Sequence, residues 1–583
     1  MKASDYIVEF LVQNEIDKVF GYIGGAVANF YDSLDKNSSI ETVNTIHEQG
    51  AGFAAEGYAR VSGKTGVATA TSGPGATNLI TPIGSCYFDS VPTLFITGQV
   101  NTYEYKYDQP VRQIGFQETD IVSIIKPITK YAVMVNKLED LRYELEKSYY
   151  LSQHGRKGPV LIDIPMNIQR ADFQPEEEKS FYDSEEFRKY EDEHADTFRL
   201  QEIKELLEVS KRPVILLGGG ARISNAEQEI YKFLTTFEIP VVHSLMGKDI
   251  VKDSYKLNLG LIGAYGNRYG NLSLANSDLI IVLGSRLDTR QTGTDLKTFA
   301  REAKIVQVDI DVHELGSKIR ADILIQSDIK AFVAALNTLN VNMNISMWKD
   351  KLLSYKEKFP SVVGIDQNDK VPNQIIHEIS KYLSDDDIVC VDVGQHQMWV
   401  AQSLDIRNDQ RVLFSGGMGA MGCALPTAIG AALSQKKRAI VIVGDGGFQM
   451  NIQELEILRR RNLPIKIFVM NNANLGMVRQ FQEIYFEENY AGTKKDYSVP
   501  DFEKIASAYG IKSCTVSNIS DIYKTIQKAL TTDIPELVNI ELVESLTTVE
   551  PKLIVNKPIE DMYPFLDRDE FKSQMIIKPV DDE

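Results

Sequence analysis

A chain of 583 residues with 43% hydrophobic and 25% charged residues has length for three or four domains and the composition of a water-soluble globular protein. Its net charge of −18 argues against binding nucleic acid, whose phosphates reward clustered Lys and Arg. No apolar stretch approaches the roughly 20 residues that span a bilayer, so no membrane segment is expected.

The first 14 residues form an amphipathic pattern carrying Asp5 and Glu9, unlike a signal or basic transit peptide. Four widely spaced cysteines, Cys86, Cys390, Cys423 and Cys514, read as reduced packing residues, and the expected location is cytoplasmic. Beyond this point strand and helix patterns alternate almost throughout, which predicts an α/β protein of three doubly wound parallel-sheet domains. The expected blocks are 1–172, 198–339 and 373–545, separated by an acidic, solvated linker at 173–197 and a second charged stretch with helical pieces at 340–372. A tail at 546–583, containing Pro551, Pro558, Pro564 and Pro579, reads as irregular surface chain.

In the first block, 21–26 reads Gly-Tyr-Ile-Gly-Gly-Ala, and 42–51 reads as a strand running into a helix with Glu48 at the junction. The helix that follows, 49–61, is rich in Ala and Gly, which permits close backbone packing around that carboxylate. Next come Ser-Gly-Pro-Gly-Ala-Thr-Asn at 72–78 and a loop at 101–115 holding Tyr103, Tyr105, Tyr107, Asp108 and Arg112. The loop leads into Phe116-Gln117-Glu118, and Lys130 follows. In the second block, 213–220 reads as a strand entering a glycine turn, and 279–286 as a strand with Gly284 near its end. Such turns are common in α/β domains and by themselves are a weak nucleotide signal. Arg286-Leu287-Asp288-Thr289-Arg290, Val308-Asp309-Ile310-Asp311 and Asp328 lie beyond it.

The third block is the most informative. A strand at 388–393 precedes Gln395 and His396, and a glycine-rich run, Ser415 to Gly422, contains Gly419 and Met421. The apolar run 439–443 reads as a buried strand ending in Gly444-Asp445-Gly446-Gly447, where glycines let the backbone approach an anion. Twenty-five residues lie between Asp445 and Asn471-Asn472, and a second apolar run at 464–470 delivers Asn472 to the carboxyl end of a neighbouring parallel strand. One carboxylate, one amide oxygen and a nearby carbonyl suit a hard divalent cation that also takes phosphate oxygens and water.

Together these motifs resemble the thiamine diphosphate-dependent acetohydroxyacid synthase (acetolactate synthase) family, of the large catalytic subunit type, over roughly residues 1–545. The resemblance rests on Gly21–Ala26, His47-Glu48-Gln49-Gly50-Ala51, Ser72–Asn78, Phe116-Gln117-Glu118, Asp392–Trp399 and Ser415–Gly422, in the family's order, with the Gly-Asp-Gly and Asn-Asn segments. It implies thiamine diphosphate and Mg²⁺ as cofactors, with Glu48 against the aminopyrimidine ring and Gly25 offering its N–H to a keto-acid oxygen. Asn78, Gln395, His396, Gly444, Asp445, Gly446, Gly447 and Asn472 would bind the cofactor, and Asp445, Asn472 and the Asn474 carbonyl would hold the metal. Gly419 would accept from the aminopyrimidine amino group, Met421 would bend the cofactor, and Phe116, Gln117 and Lys130 would position the reacting groups.

The family's flavin-containing members imply FAD in the middle block, on Arg286, Arg290, Asp309 and Asp328, with Arg290 and Phe481 facing the acceptor. An ordinary surface ion pair is the other reading of Arg290. The activity implied is decarboxylation of pyruvate and transfer of the two-carbon unit to a second 2-keto acid, as in branched-chain amino acid biosynthesis, by a homodimer or homotetramer; no regulatory subunit is specified. Three departures put the acceptor in doubt. The 101–115 loop is longer than usual and either binds a larger acceptor or covers a subunit interface, Phe481 replaces the usual Trp, and Ile23 replaces the usual Pro. A keto-deoxysugar acceptor is therefore an alternative, and a catalytically inactive cofactor-binding homologue is another.

Overall fold

A computed structural model describes residues 1–191, 198–363, 371–542 and 557–580. Three six-stranded sheets organise the chain, and every strand pair in them is parallel. The N-terminal sheet contains β1 (Lys18–Tyr22), β2 (Glu41–Asn44), β3 (Gly66–Ala70), β4 (Thr93–Gln99), β5 (Tyr131–Met134) and β6 (Pro159–Pro165). The middle sheet contains β7 (Pro213–Leu217), β8 (Val241–His243), β9 (Asn258–Leu261), β10 (Leu279–Leu283), β11 (Lys304–Asp309) and β12 (Ile323–Gln326). The C-terminal sheet contains β13 (Ile388–Val391), β14 (Arg411–Phe414), β15 (Ala439–Gly444), β16 (Ile465–Asn471), β17 (Lys512–Val516) and β18 (Glu536–Glu541).

The spatial orders are β2-β1-β3-β4-β6-β5 and β14-β13-β15-β16-β18-β17, so the first and third domains share one topology. The middle sheet runs β12-β11-β10-β7-β8-β9, the dinucleotide-binding order with its switch point between β7 and β10. Fully buried strands such as β15 and β16 explain the unbroken apolar runs in the sequence, because helices cover both faces of a parallel sheet.

The first and third domains meet through helix Glu48–Ser62 and helix Ala424–Gln435. Their backbones nearly touch: a Cβ on Gly57 would fall 2.1 Å from the Thr427 carbonyl oxygen, and one on Gly430 1.8 Å from that of Ala54. This is the close packing expected from the Ala- and Gly-rich sequence.

Three connecting segments are more ordered than the sequence suggests. Up to residue 191 the acidic linker is docked on the first domain: Phe173 and Phe181 are buried, and Glu146 accepts from Ser180 Oγ and the Phe181 amide at 2.6 and 2.8 Å. Residues 192–197 of that linker lie outside the described residues. In the second charged stretch, helix Ser346–Lys358 buries Trp348, Leu352 and Tyr355, at helical spacing, in the core of the middle domain. The expected irregular tail instead contributes Ile559, Met562, Leu566 and Phe571 to that core and forms helix Arg568–Gln574. Apolar anchors between the charges and prolines make the difference. Pro551 and residues 364–370 lie outside the described residues.

Candidate active site

In the first and third domains, the predicted groups gather at the carboxyl ends of the strands, around the switch points where doubly wound sheets bind ligands. In the C-terminal sheet, β15 and β16 run in register from Ala439↔Ile465 to Gly444↔Met470, so Asp445 and Asn472 leave adjacent strands at nearly the same level. The Asn472 side-chain oxygen stands 3.1 Å from Asp445 Oδ1 and 2.8 Å from the Asn474 carbonyl oxygen, facing acceptors only. Rotating the amide would satisfy the bare chain; a cation among the three oxygens satisfies it as it stands. Metal–oxygen bonds of about 2.1 Å at right angles place ligand oxygens about 3 Å apart, which fits this spacing.

Tyr497 donates to Asp445 Oδ2 at 2.7 Å, yet burial dominates and pushes the Asp445 carboxyl up to about 6. Among the described residues no three His, Cys, Asp or Glu side chains form a metal cluster. One carboxylate with neutral oxygens suits Mg²⁺ bound together with a phosphate, rather than zinc.

Beside this cradle, helix Gln395–Ser403 starts at Gly394 after β13. His396 is 4% exposed, and burial drives its imidazole down to about 3, so the ring is neutral. Its Nε2 is buried with no hydrogen-bond partner among the described residues. An orphaned imidazole nitrogen at this place fits a diphosphate oxygen, because a buried polar atom needs a partner. Asn472 Nδ2 donates to Gln395 Oε1 at 3.0 Å, which fastens Gln395 to the metal cradle. Gly447 packs beneath them against Asp392, and the Met421 methyl lies 3.3 Å from where a Gly446 Cβ would be. Gly419 has φ +65° and open space around its Cβ position.

The second half-site is in the N-terminal domain. Glu48 begins helix Glu48–Ser62 behind His47, whose Nδ1 caps the Gln49 amide at 3.2 Å. The carboxylate is 8% exposed and takes a hydrogen bond from Asn78 Nδ2 at 2.9 Å. Tyr31 beside it is raised above the usual tyrosine range, first by burial and then by the Glu48 charge. Gly25 opens the turn after β1 and is exposed; a Cβ there would meet nothing of this chain within 4 Å. Phe116 projects with 87% exposure, while Gln117 has φ +64° and lies against Gly73. Glu118 folds the preceding loop, accepting from the amides of Lys106 at 2.8 Å, Ile114 at 2.7 Å and Gly115 at 3.2 Å.

Within one chain Glu48 and Asp445 occupy separate clusters, each with its own hydrogen-bond partners. Lys130 joins neither. It precedes β5, at the amino ends of the strands, where its Nζ donates to the His154 carbonyl at 2.5 Å; burial lowers it to about 8. A lysine just before a strand lies at the end of the parallel sheet opposite the one Glu48 follows, which sequence proximity to Phe116-Gln117 does not reveal. Phe481 is 42% exposed and packs at a tilt against the rings of Tyr485 and Phe486.

The middle-domain residues gather separately. Arg286, Arg290, Asp309 and Asp328 all line one cavity of about 400 Å³ to which all three domains contribute. It opens at the switch point, where a Gly218 Cβ would fall 2.1 Å from the Gly284 carbonyl oxygen. Burial raises the Asp309 carboxyl to about 6, while Asp328 caps helix Ile329–Leu336 through the Ala331 amide. Arg290 lies 5.7 Å from the Tyr265 ring centroid, and Arg286 stands 3.9 Å from Asp288.

Sequence reading missed Tyr497, Asp89 and Glu454. Asp89 and Glu454 act across the interface between the first and third domains. Glu454 accepts from the amides of Ile46 and His47 at 3.3 and 3.1 Å, just before Glu48; burial raises it to about 7. Their partners are hundreds of residues away, so no local spacing marks them.

Sequence models of three domain families match in order: the N-terminal TPP binding domain of thiamine pyrophosphate enzymes over residues 1–124, their central domain over 200–336 and their C-terminal TPP binding domain over 392–540. The acetolactate synthase large subunit of Lactococcus lactis is 40% identical over 545 residues, covering 93% of both chains. That of Cyanidium caldarium is 36% identical over 98% of this chain and 96% of its own, and the chloroplastic acetolactate synthase of Arabidopsis thaliana is 38% identical over 92% and 81%. With all three domain models matched in order and relatives matched almost end to end, the chain belongs to the thiamine pyrophosphate enzymes, in the group of acetolactate synthase large subunits.

Proposed function

We propose that the chain decarboxylates pyruvate and joins the resulting two-carbon unit to a second 2-keto acid, giving 2-acetolactate when that acceptor is also pyruvate. The observation that carries this reading is the three-oxygen cradle of Asp445, Asn472 and Asn474 beside the unpartnered His396 nitrogen. Bound thiamine diphosphate supplies a nucleophilic carbon and an electron sink for breaking and making carbon–carbon bonds.

The chain's own groups hold, orient and shield. Asp445, Asn472 and the Asn474 carbonyl hold Mg²⁺, and neutral His396 donates Nε2–H to a diphosphate oxygen. Met421 would lie against the cofactor and the Gly419 carbonyl would accept from its aminopyrimidine amino group. Glu48, kept in place by Asn78, exchanges a proton with the aminopyrimidine nitrogen. The Gly25 amide and the Gln117 side chain face the keto-acid oxygens.

Each half-site is completed by the opposite half of a second copy, in a homodimer. Exposed apolar residues at the two half-sites support this: Ile23 at 54%, Phe116 at 87%, Met418 at 40% and Val478 at 51%. In the three-domain cavity, the dinucleotide-binding strand order and the half-buried Asp309 at the end of β11 support FAD. No helix among the described residues is long and apolar enough to cross a membrane, and free cysteines suit the cytoplasm, where the reading places the enzyme.

Product analysis tests the proposal. The full-length protein with pyruvate, Mg²⁺ and thiamine diphosphate should form 2-acetolactate. Turnover only when a 4-keto-deoxysugar is added would replace the acceptor, and carbon dioxide release no faster than in Glu48→Gln would end the catalytic reading.

A further inference from the structure

The segment Ser415–Gly422 is strung between two buried carboxylates. At its far end Asp392, fully buried, accepts from the amides of Gly422 and Ala424 at 2.9 and 3.0 Å. At its near end Asp89 Oδ2 accepts from the Gly416 amide at 2.9 Å and Oδ1 from the Gly417 amide at 2.7 Å. Gly419 and Met421 lie between the two anchors.

The anchors differ in origin. Asp392 follows β13 in the same domain, whereas Asp89 ends helix Ile80–Asp89 of the N-terminal domain, 327 residues from Gly416 in sequence. It is 6% exposed. A carboxylate on two consecutive amides makes charge-assisted hydrogen bonds that fix both position and orientation. Asp89, Gly416 and Arg286 all line the three-domain cavity, and Arg286 Nη1 stands 3.1 Å from where a Gly417 Cβ would be. One wall of that cavity is therefore the start of the segment that carries Gly419 and Met421.

We infer that Asp89 is a positioning residue for the cofactor-facing segment Ser415–Gly422, and that through it the order of this segment depends on what fills the three-domain cavity. The inference rests on the reading of Gly419 and Met421 as thiamine diphosphate contacts. Asp89 is not among the groups assigned to the reacting atoms or to thiamine diphosphate. It acts by holding the two amides from which the segment departs.

The test uses full-length wild type and Asp89→Asn, which keeps the side chain's size but presents one acceptor and one donor to two N–H groups. The expected result is a rise of about tenfold in the thiamine diphosphate concentration for half-maximal activity, with the pyruvate KM changed less than twofold. An unchanged cofactor half-saturation in folded variant, judged by circular dichroism, overturns the inference. A second measurement needs no variant: adding FAD to wild type should slow amide exchange in residues 416–422 at least severalfold. Equal exchange with and without FAD overturns the coupling to the cavity. Wild type that shows no thiamine diphosphate binding at all overturns the functional reading underneath, a result distinguishable from either of these.

Discussion

Asn78 donates its side-chain amide to Glu48 Oε2 at 2.9 Å, so the buried carboxylate proposed to serve the cofactor ring is held by a neutral partner rather than a cation. A cation there would stabilise the anion and weaken it as a base; an amide orients it without taking its proton. Glu48→Gln should lower kcat by about 10²–10⁴-fold, the usual weight of general acid–base catalysis, with thiamine diphosphate still bound. Asn78→Ala should cost about 10–100-fold in kcat through lost orientation. Steady-state kinetics beside calorimetric cofactor binding separates the two effects.

Metal binding should follow the ionisation of Asp445. The metal needs the carboxylate, and burial raises this group to about 6, so Mg²⁺ affinity should fall about tenfold per pH unit below about 6. The sign for stability is opposite. A folded pKa above the ordinary aspartate value of 3.8 means that the metal-free fold binds the proton more tightly than the unfolded chain. The metal-free protein should therefore gain on the order of 3 kcal/mol as pH falls from above 6 towards 4, and lose it as pH rises through the same window. Asp445→Asn should abolish both trends, as denaturant titrations with and without Mg²⁺ would show.

Much of this was legible in the sequence. Unbroken apolar runs marked β15 and β16, and Gly-Asp-Gly with Asn-Asn marked the side chains that converge beyond them, because those groups follow directly on strand ends. What local patterns could not show is which end of a strand a residue occupies and what lies across a domain interface. Lys130 sits close to Gln117 in sequence yet precedes β5 rather than following a strand, which puts it at the opposite end of the sheet. The shared strand order of the first and third domains is carried by backbone topology and left no motif repeat to read.

Glu454 should prove a fastener between those two domains. Glu454→Ala would leave the buried amides of Ile46 and His47 without their acceptor, at about 1–3 kcal/mol each. The expected outcome is a lower unfolding midpoint and a weaker grip on thiamine diphosphate, since the two amides directly precede Glu48. Glu454→Gln, which keeps an acceptor oxygen, should recover most of the midpoint.

If FAD fills the three-domain cavity, the purified protein should be yellow, and stripping the flavin should destabilise it. At a hundredfold excess over Kd, rebinding should restore about 2.7 kcal/mol. Arg286→Ala should weaken flavin retention, while a colourless wild type that gains no stability with added FAD would remove the flavin assignment.

The loop at 101–115 poses a choice that Glu118 can decide. Its buried carboxylate gathers the amides of Lys106, Ile114 and Gly115 and so closes the loop immediately before Phe116 and Gln117. Glu118→Ala should open it, exposing the loop to proteolysis while the three domain cores keep their packing. If the loop selects the acceptor, the variant should raise the acceptor KM about tenfold with its oligomeric state unchanged on dilution. If it covers a subunit interface instead, the variant should dissociate at higher protein concentration than wild type, and its specific activity should fall on dilution because the half-sites around Glu48 and Asp445 part company.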